Sequence, residues 1–253
     1  MSTQNTLKNY TKYAKEYEKL GPQSFFHKFI EKPDMYGMLP DLSGKKVLCI
    51  GVGTGEEADY LRGLGADVVG IDVSEGGLDR AKQKYPGIRF ELMDMDKLDF
   101  PDESFDFVYS SLALHHSENI KDLFKKIYSV LKVGGVLQFS TTHPVRDAVE
   151  SFTEGDTSYQ VLGSKKISGK SYAVGDYFSN RMMQIEWSDD FVVDYYHFTI
   201  SEWLNSVLNA GFIITKVSEP VAIEEAKDFD EERYLLYNKK PLFFVVQGKK
   251  DLM

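Results

Sequence analysis

The sequence predicts an α/β protein with a doubly wound, mostly parallel sheet, and three observations carry that prediction. From residue 45 to about 142, short apolar runs alternate with amphipathic segments, as strands crossed over by helices do. The first apolar run enters "GVGTGEE" (51–57), three glycines in five positions followed at once by a helical pattern. Polar residues then stand at the ends of the next three runs: Asp72, Asp94, and the pair Ser110 and Ser111.

The elements follow in order. "YTKYAKEYEKL" (10–20) sets Tyr10, Tyr13 and Tyr17 at i, i+3 and i+7, one face of a helix. "KVLCI" (46–50) and "DVVGID" (67–72) read as the first two strands, "IRFELMD" (88–94) as the third, "FDFVYSS" (105–111) as the fourth and "GVLQFST" (135–141) as the fifth. Between them "GEEADYLRGLG" closes on Gly65, and "SEGGLDRAKQKY" opens on Ser74 as N-cap. "ENIKDLFKKIYSVLKVGG" ends in basic residues and a glycine pair, a helix C-terminus by composition. Residues 144–198 break the rhythm, and "RMMQIEWSDDFVVDYYHFT" (181–199) reads as a β-hairpin joined at Ser188-Asp189-Asp190. Thr199 and Glu202 then form a capping box, Gly211 ends that helix, and "FIITKV" (212–217) and "LFFVVQG" (242–248) bring the strands to seven, the last two as an antiparallel edge.

Composition narrows the function. A chain of 253 residues with 42% hydrophobic content supports one main domain over 1–253. Residues 1–40 then form an N-terminal helical lid, and 144–198 an insertion capping the sheet edge where ligands bind. The net charge of −9, with lysines scattered among acids, offers no basic face for nucleic acid. Cys49 is the single cysteine, which excludes an intrachain disulfide and a cysteine-rich metal site and fits a cytoplasmic protein. No run approaches the ~18 apolar residues of a membrane span.

The glycine loop lets a ligand lie against backbone at a helix start. A dinucleotide fold would show G-x-G-x-x-G aimed at a pyrophosphate, whereas here the third glycine comes one residue early and Glu56 and Glu57 follow it. Acids at a helix start repel a pyrophosphate and tolerate a cationic ligand. Asp72 at a strand end suits a ribose diol, and Asp94 with Met95 suits an adenine.

In this order and spacing "VLCIGVGTGEE", "VVGIDVSEGGLDRAKQ", "FELMDMDKLDFPDESFDFVYSSLALHH" and "LKVGGVLQFSTTHP" resemble the class I S-adenosylmethionine-dependent methyltransferases, in the small-molecule branch known as methyltransferase type 11. The resemblance implies a Rossmann-like sheet, S-adenosylmethionine as cofactor and S-adenosylhomocysteine as product. It implies that Gly51, Gly53 and Gly55 line the methionine part, Asp72 the ribose and Asp94 with Met95 the adenine, that Val73 and Asp96 also belong to the cofactor site, that Ser110 and Leu112 approach the methyl donor, and that Tyr13 or Tyr17 of the lid touches the cofactor. Two positions depart from the family pattern: Cys49 stands where most members carry Asp or Glu, and Val52 replaces the usual Cys or Ala. The first removes a carboxylate from near the bound amino group.

Methyl transfer is an in-line displacement that demands alignment first, with a base only where the acceptor loses a proton. His115, His116 and His143 follow two strand ends and are the candidate bases, while Tyr177, Trp187 and Tyr195 are candidate walls of an acceptor pocket. The reading is a methyltransferase for a small molecule, without metal, nucleic acid or membrane, as monomer or homodimer. A nicotinamide-dependent oxidoreductase and a cofactor-binding protein without transferase activity are the alternatives.

Overall fold

In a computed structural model, which describes residues 8–20, 24–188 and 190–251, the strands Lys46–Ile50 (β1), Asp67–Asp72 (β2), Arg89–Leu92 (β3), Phe105–Ser110 (β4) and Leu131–Thr142 (β5) lie parallel. Three hairpins follow: Glu150–Glu154 with Thr157–Val161 (β6, β7), Gly163–Ile167 with Lys170–Val174 (β8, β9), and Arg181–Ser188 with Phe191–His197 (β10, β11). Phe212–Ser218 (β12) and Phe243–Lys250 (β13) complete a seven-stranded sheet in the order β12-β13-β5-β4-β1-β2-β3. β13 runs antiparallel to both neighbours, so the reversed strand is second from the edge and the edge strand β12 points with the rest.

The central strands are buried on both faces, which is why they read as unbroken apolar runs rather than as alternation. One face packs Phe124 and Ile127 of the helix Ile120–Val130 and Trp203 of the helix Ile200–Asn209 on Phe139. The other packs the helices Glu56–Gly63 and Glu75–Lys84 through Ala58, Leu61, Leu78 and Ala81. Ser74 caps the second of these by accepting from the Gly77 N–H at 3.0 Å, and Thr199 with Glu202 forms the capping box. The N-terminal helix Ala14–Leu20 lies on the helix Glu75–Lys84, tied there by Glu18 to Arg80 and Lys84.

Two elements differ from the sequence reading. The helix over 120–130 stops at Val130, and the following "LKVGG" belongs to β5. Leu131 pairs with Phe105, and the register then jumps so that Phe107 meets Val136, a bulge that absorbs the glycine pair and places Lys132 2.9 Å from Asp106. Residues 148–175, unassigned by periodicity, form two further hairpins that are largely exposed. With no core face, they carry no alternation to read. Among the described residues, no helix is long and apolar enough to cross a membrane.

Candidate active site

The chain turns out of β1 on three left-handed glycines, Gly51 (φ 71), Gly53 (φ 54) and Gly55 (φ 92). Their reasons differ. A Cβ on Gly51 would stand 2.2 Å from the Cβ of Ala113, so the β1 and β4 loops touch only because the side chain is absent. At Gly55 the space is filled by packed side chains: its Cβ would meet Tyr85 at 2.9 Å, Ala81 at 3.1 Å and Phe90 at 3.2 Å. It lets the helix Glu56–Gly63 settle on the sheet.

Asp72 holds this loop. Its Oδ2 accepts from the Gly53 N–H and its Oδ1 from the Ser74 N–H, both at 2.8 Å. Burial raises its pKa and the backbone donors oppose that. Each oxygen keeps a lone pair for a further donor. Asp94 lies two residues past β3, where its Oδ1 accepts from the Asp96 N–H at 3.0 Å and caps the turn Met95–Lys97. Asp96 accepts from Ser117 Oγ at 2.6 Å, and its carboxyl is pushed up, chiefly by burial.

A cavity of about 1020 Å³, counting its open mouth, runs across these strand ends. Gly51, Gly53, Asp72, Val73, Asp94, Met95, Asp96 and Leu112 line it, with Thr54, Ser74, Met93, Ser111 and Ala113 between them. Tyr10, Asp194, Tyr196 and His116 add to the wall from the N-terminal segment, β11 and the turn after β4. Leu112 has φ 48, a strained conformation for a leucine, and its N–H donates to Ser140 Oγ at 3.0 Å. A smaller cavity of about 340 Å³ opens beside the glycine loop between His27, Thr54, Glu57 and Ser111.

The remaining expected residues are elsewhere. Ser110, the last residue of β4, is buried and donates to the Ile50 carbonyl at 3.1 Å, whereas Ser111 and Leu112, in the loop beyond the strand, line the cavity. Tyr13 stacks on Phe191 with ring centroids 5.1 Å apart, and it is Tyr10 that reaches the cavity. Tyr195 is on the opposite face of β11 from Asp194 and Tyr196 and donates to Asp147 Oδ1 at 2.8 Å. The hydroxyl of Tyr177 accepts from the Ile200 N–H at 3.1 Å. The side chains of Tyr17 and Trp187 lie outside the described residues.

The three histidines divide in the same way. His143 is buried, caps the turn Pro144–Asp147 by accepting from the Val145 N–H, and meets Glu219 at 2.7 Å. His115 is buried against Tyr195 with Nδ1 3.2 Å from Thr141 Oγ1, and burial holds its pKa well below the imidazole range. His116 faces the cavity. Its Nδ1 is 2.7 Å from the Asp194 carbonyl, which only accepts, so Nδ1 carries the proton and Nε2 accepts from the Tyr10 hydroxyl at 3.3 Å. Burial lowers the His116 pKa against the opposing pull of that carbonyl, so the ring is a neutral base.

Tyr10, Asp194 and Tyr196 were the cavity residues hardest to find. The signal for the last two was the period-2 alternation of β11, whose buried side is Phe191, Val193, Tyr195 and His197. Among the described residues no cluster of His, Cys, Asp and Glu fits a metal ion.

A family model described as a methyltransferase domain matches residues 48–139. An uncharacterised protein of Haemophilus influenzae is 30% identical over 238 residues, 89% of either chain. The uncharacterised methyltransferase YbaJ of Bacillus subtilis is 30% identical over 70% of this chain and 69% of its own. An S-adenosylmethionine dependent methyltransferase from Mesorhizobium loti, known by crystal structure, matches with a TM-score of 0.73 at 28% identity, over 90% of this chain and 98% of that one. With a glycine loop at the carboxyl end of β1, carboxylates beyond β2 and β3 and this kinship, the chain belongs to the class I S-adenosylmethionine-dependent methyltransferases of type 11, and S-adenosylmethionine is its cofactor.

Proposed function

We propose that the large cavity binds S-adenosylmethionine and that its methyl group passes to a small molecule entering between His116 and Tyr196. The observation that carries this reading is Asp72, a half-buried carboxylate that lines the cavity, its two oxygens each accepting one backbone N–H and each keeping a lone pair for a further donor. Two parallel acceptors suit the two hydroxyls of a ribose. Asp94 and Met95 then stand at the adenine end, and Gly51 and Gly53 let the chain joining ribose to amino acid lie on bare backbone. The bound sulfonium supplies an electrophilic methyl group.

What the protein adds is alignment and exclusion of water. The N-terminal segment and β11 form the roof, tied by Asn9 Nδ2 donating to the Val192 carbonyl at 2.7 Å. In this reading residues 1–40 are a lid and 144–198 a cap on one catalytic domain. Leu112 and Ala113 press from the β4 side, and Tyr10 and Tyr196 set the width open to an acceptor. His116 Nε2 takes the proton of an acceptor that must lose one, once the Tyr10 hydroxyl gives way to it. The aromatic roof favours a compact acceptor, and the chain's net charge of −9 disfavours a nucleic-acid one.

Calorimetric titration tests the reading. Saturable one-to-one binding of S-adenosylmethionine and S-adenosylhomocysteine, with no binding of NAD, is the expected result. Binding of NAD alone revives the oxidoreductase, and adenosyl binding with no turnover across a broad acceptor screen favours a binding protein. For an acceptor that loses a proton, His116→Ala is expected to lower kcat by about 100-fold with little change in KM. Because burial depresses the His116 pKa, the rate stays level through neutral pH and falls only below the usual imidazole range, and that acid limb disappears in the variant.

A further inference from the structure

One residue on the wall of the large cavity is held in a conformation its side chain disfavours. Among the described residues, Glu103, Leu112 and Ser168 are the non-glycine residues with positive φ. Glu103 and Ser168 sit in exposed turns. Leu112, at φ 48, is half-buried, lines the large cavity and packs against the apolar cluster that holds Phe25, Phe29 and Phe243. The left-handed region is disfavoured for such a side chain by roughly 5- to 30-fold, so the surroundings must hold it there.

A chain of hydrogen bonds does so. The Leu112 N–H donates to Ser140 Oγ at 3.0 Å, and that hydroxyl donates its own proton to Glu31 Oε1 at 2.6 Å. Ser111 Oγ donates to the same carboxyl oxygen at 2.8 Å. A hydroxyl has a single proton, so giving it to Glu31 turns the lone pairs of Ser140 toward the Leu112 N–H, and each bond polarises the next. Glu31 is fully buried at the end of the π-helical turn His27–Glu31 and lines neither cavity. Its Oε2 has no hydrogen-bond partner, so both serine bonds rest on one oxygen. Burial pushes this carboxyl up to about 7, with Ser140, Ser111 and Lys32 opposing the rise and Glu57 adding to it. Ionised or neutral, it keeps an oxygen that accepts from both serines, so the arrangement asks for an acceptor and not for a charge.

The parts come from three places in the chain. Ser111 belongs to the loop after β4, Ser140 to β5, and Glu31 to the N-terminal segment, which also supplies Phe25 and Phe29 against the Leu112 side chain. Backbone and side chain of one strained residue are gripped from the same side. We infer that Glu31 is a positioning residue: through Ser140 and Ser111 it clamps the loop after β4 with Leu112 left-handed, so that this wall of the large cavity is complete only where residues 24–31 have docked. The inference rests on the large cavity being the S-adenosylmethionine site. Without the clamp the loop relaxes, and a ligand must restore the conformation at a cost in apparent affinity.

The test is a set of double-mutant cycles, read by calorimetric titration of the whole protein with S-adenosylhomocysteine. Ser140→Ala and Glu31→Leu each break the chain of hydrogen bonds, at the serine and at the acid, so that one serves if the other fails to fold. Leu112→Gly removes the strain itself, because glycine enters the left-handed region freely, and Leu112→Asn relieves it while keeping a side chain. Breaking the chain beside the native Leu112 should cost about 5- to 30-fold in affinity, and no more than about twofold beside Leu112→Gly or Leu112→Asn. Glu31→Gln keeps an oxygen for both serines and should bind within about threefold of the native protein. Equal weakening in every background would make Glu31 and Ser140 structural only, since a general loosening does not depend on the residue at position 112. No weakening beside Leu112 would show that its conformation needs neither of them, and Glu31→Gln as weak as Glu31→Leu would assign the effect to charge. Each of these three outcomes overturns the inference and leaves the reading of the large cavity intact. Native protein that binds no S-adenosylhomocysteine overturns that reading, and the inference with it.

Discussion

Replacing Gly51 by alanine should lower the unfolding free energy by about 3 kcal/mol or more and abolish cofactor binding. Two costs add. An alanine at φ 71 sits in the left-handed region, at about 1–2 kcal/mol. Its methyl would also stand 2.2 Å from the Ala113 Cβ, a separation that no pair of carbons sustains, so the loops after β1 and β4 must part. Parting them moves Leu112 and Ala113, which wall the large cavity. Urea titration of Gly51→Ala against the native chain measures the first effect and calorimetry the second. An alanine variant of native stability would mean that the two loops are not packed as described. The double variant Gly51→Ala with Ala113→Gly should regain part of the stability, because it removes the clash and leaves only the backbone strain.

Asp72→Ala should weaken S-adenosylhomocysteine binding by about 100-fold or more. A pair of hydrogen bonds to a charged acceptor is worth roughly 1.5–3 kcal/mol each, and the same carboxylate also fixes the Gly53 and Ser74 N–H groups. Asp72→Asn separates these roles: its one carbonyl oxygen can still accept, while its NH₂ turns a donor toward donors. The asparagine variant should therefore unfold like the alanine variant or slightly later, yet bind no better than about tenfold above it. Tight binding to Asp72→Ala would remove this carboxylate from the site.

Much of this was legible because the chemistry that builds a strand end also marks it. β1, β2 and β4 are buried on both faces, so their apolar runs stand out, and a run that stops at Asp72 or Ser110 announces where the sheet meets solvent. Ser74, Thr199 and Glu202 cap their helices as their local pattern predicts, because capping is decided within four residues. The bulge in β5 was hidden for the opposite reason. Lys132 and the glycine pair look like a helix terminus locally, and only the pairing of Leu131 with Phe105 reveals a strand. The roof was harder still. That Tyr10 meets the cavity while Tyr13 stacks on Phe191 depends on how the N-terminal segment, which breaks at Tyr13, lies against β11, and which of Tyr195 and Tyr196 faces inward depends on which side of β11 is buried. Glu31 gave no local sign at all, since its partners Ser111 and Ser140 are 80 and 109 residues away.

The tie between Asn9 and Val192 spans 183 residues, and His116 joins the same meeting point from the middle of the chain. Contacts that distant carry a large loop-closure entropy and form late in folding. A growing chain can pair β1 with β2 and β4 as soon as these have been synthesised, yet the roof cannot close until β11 has emerged. Ligand affinity is thereby a property of the nearly finished polypeptide: chains interrupted before residue 191 keep much of the sheet's sequence but have no means of enclosing a nucleoside.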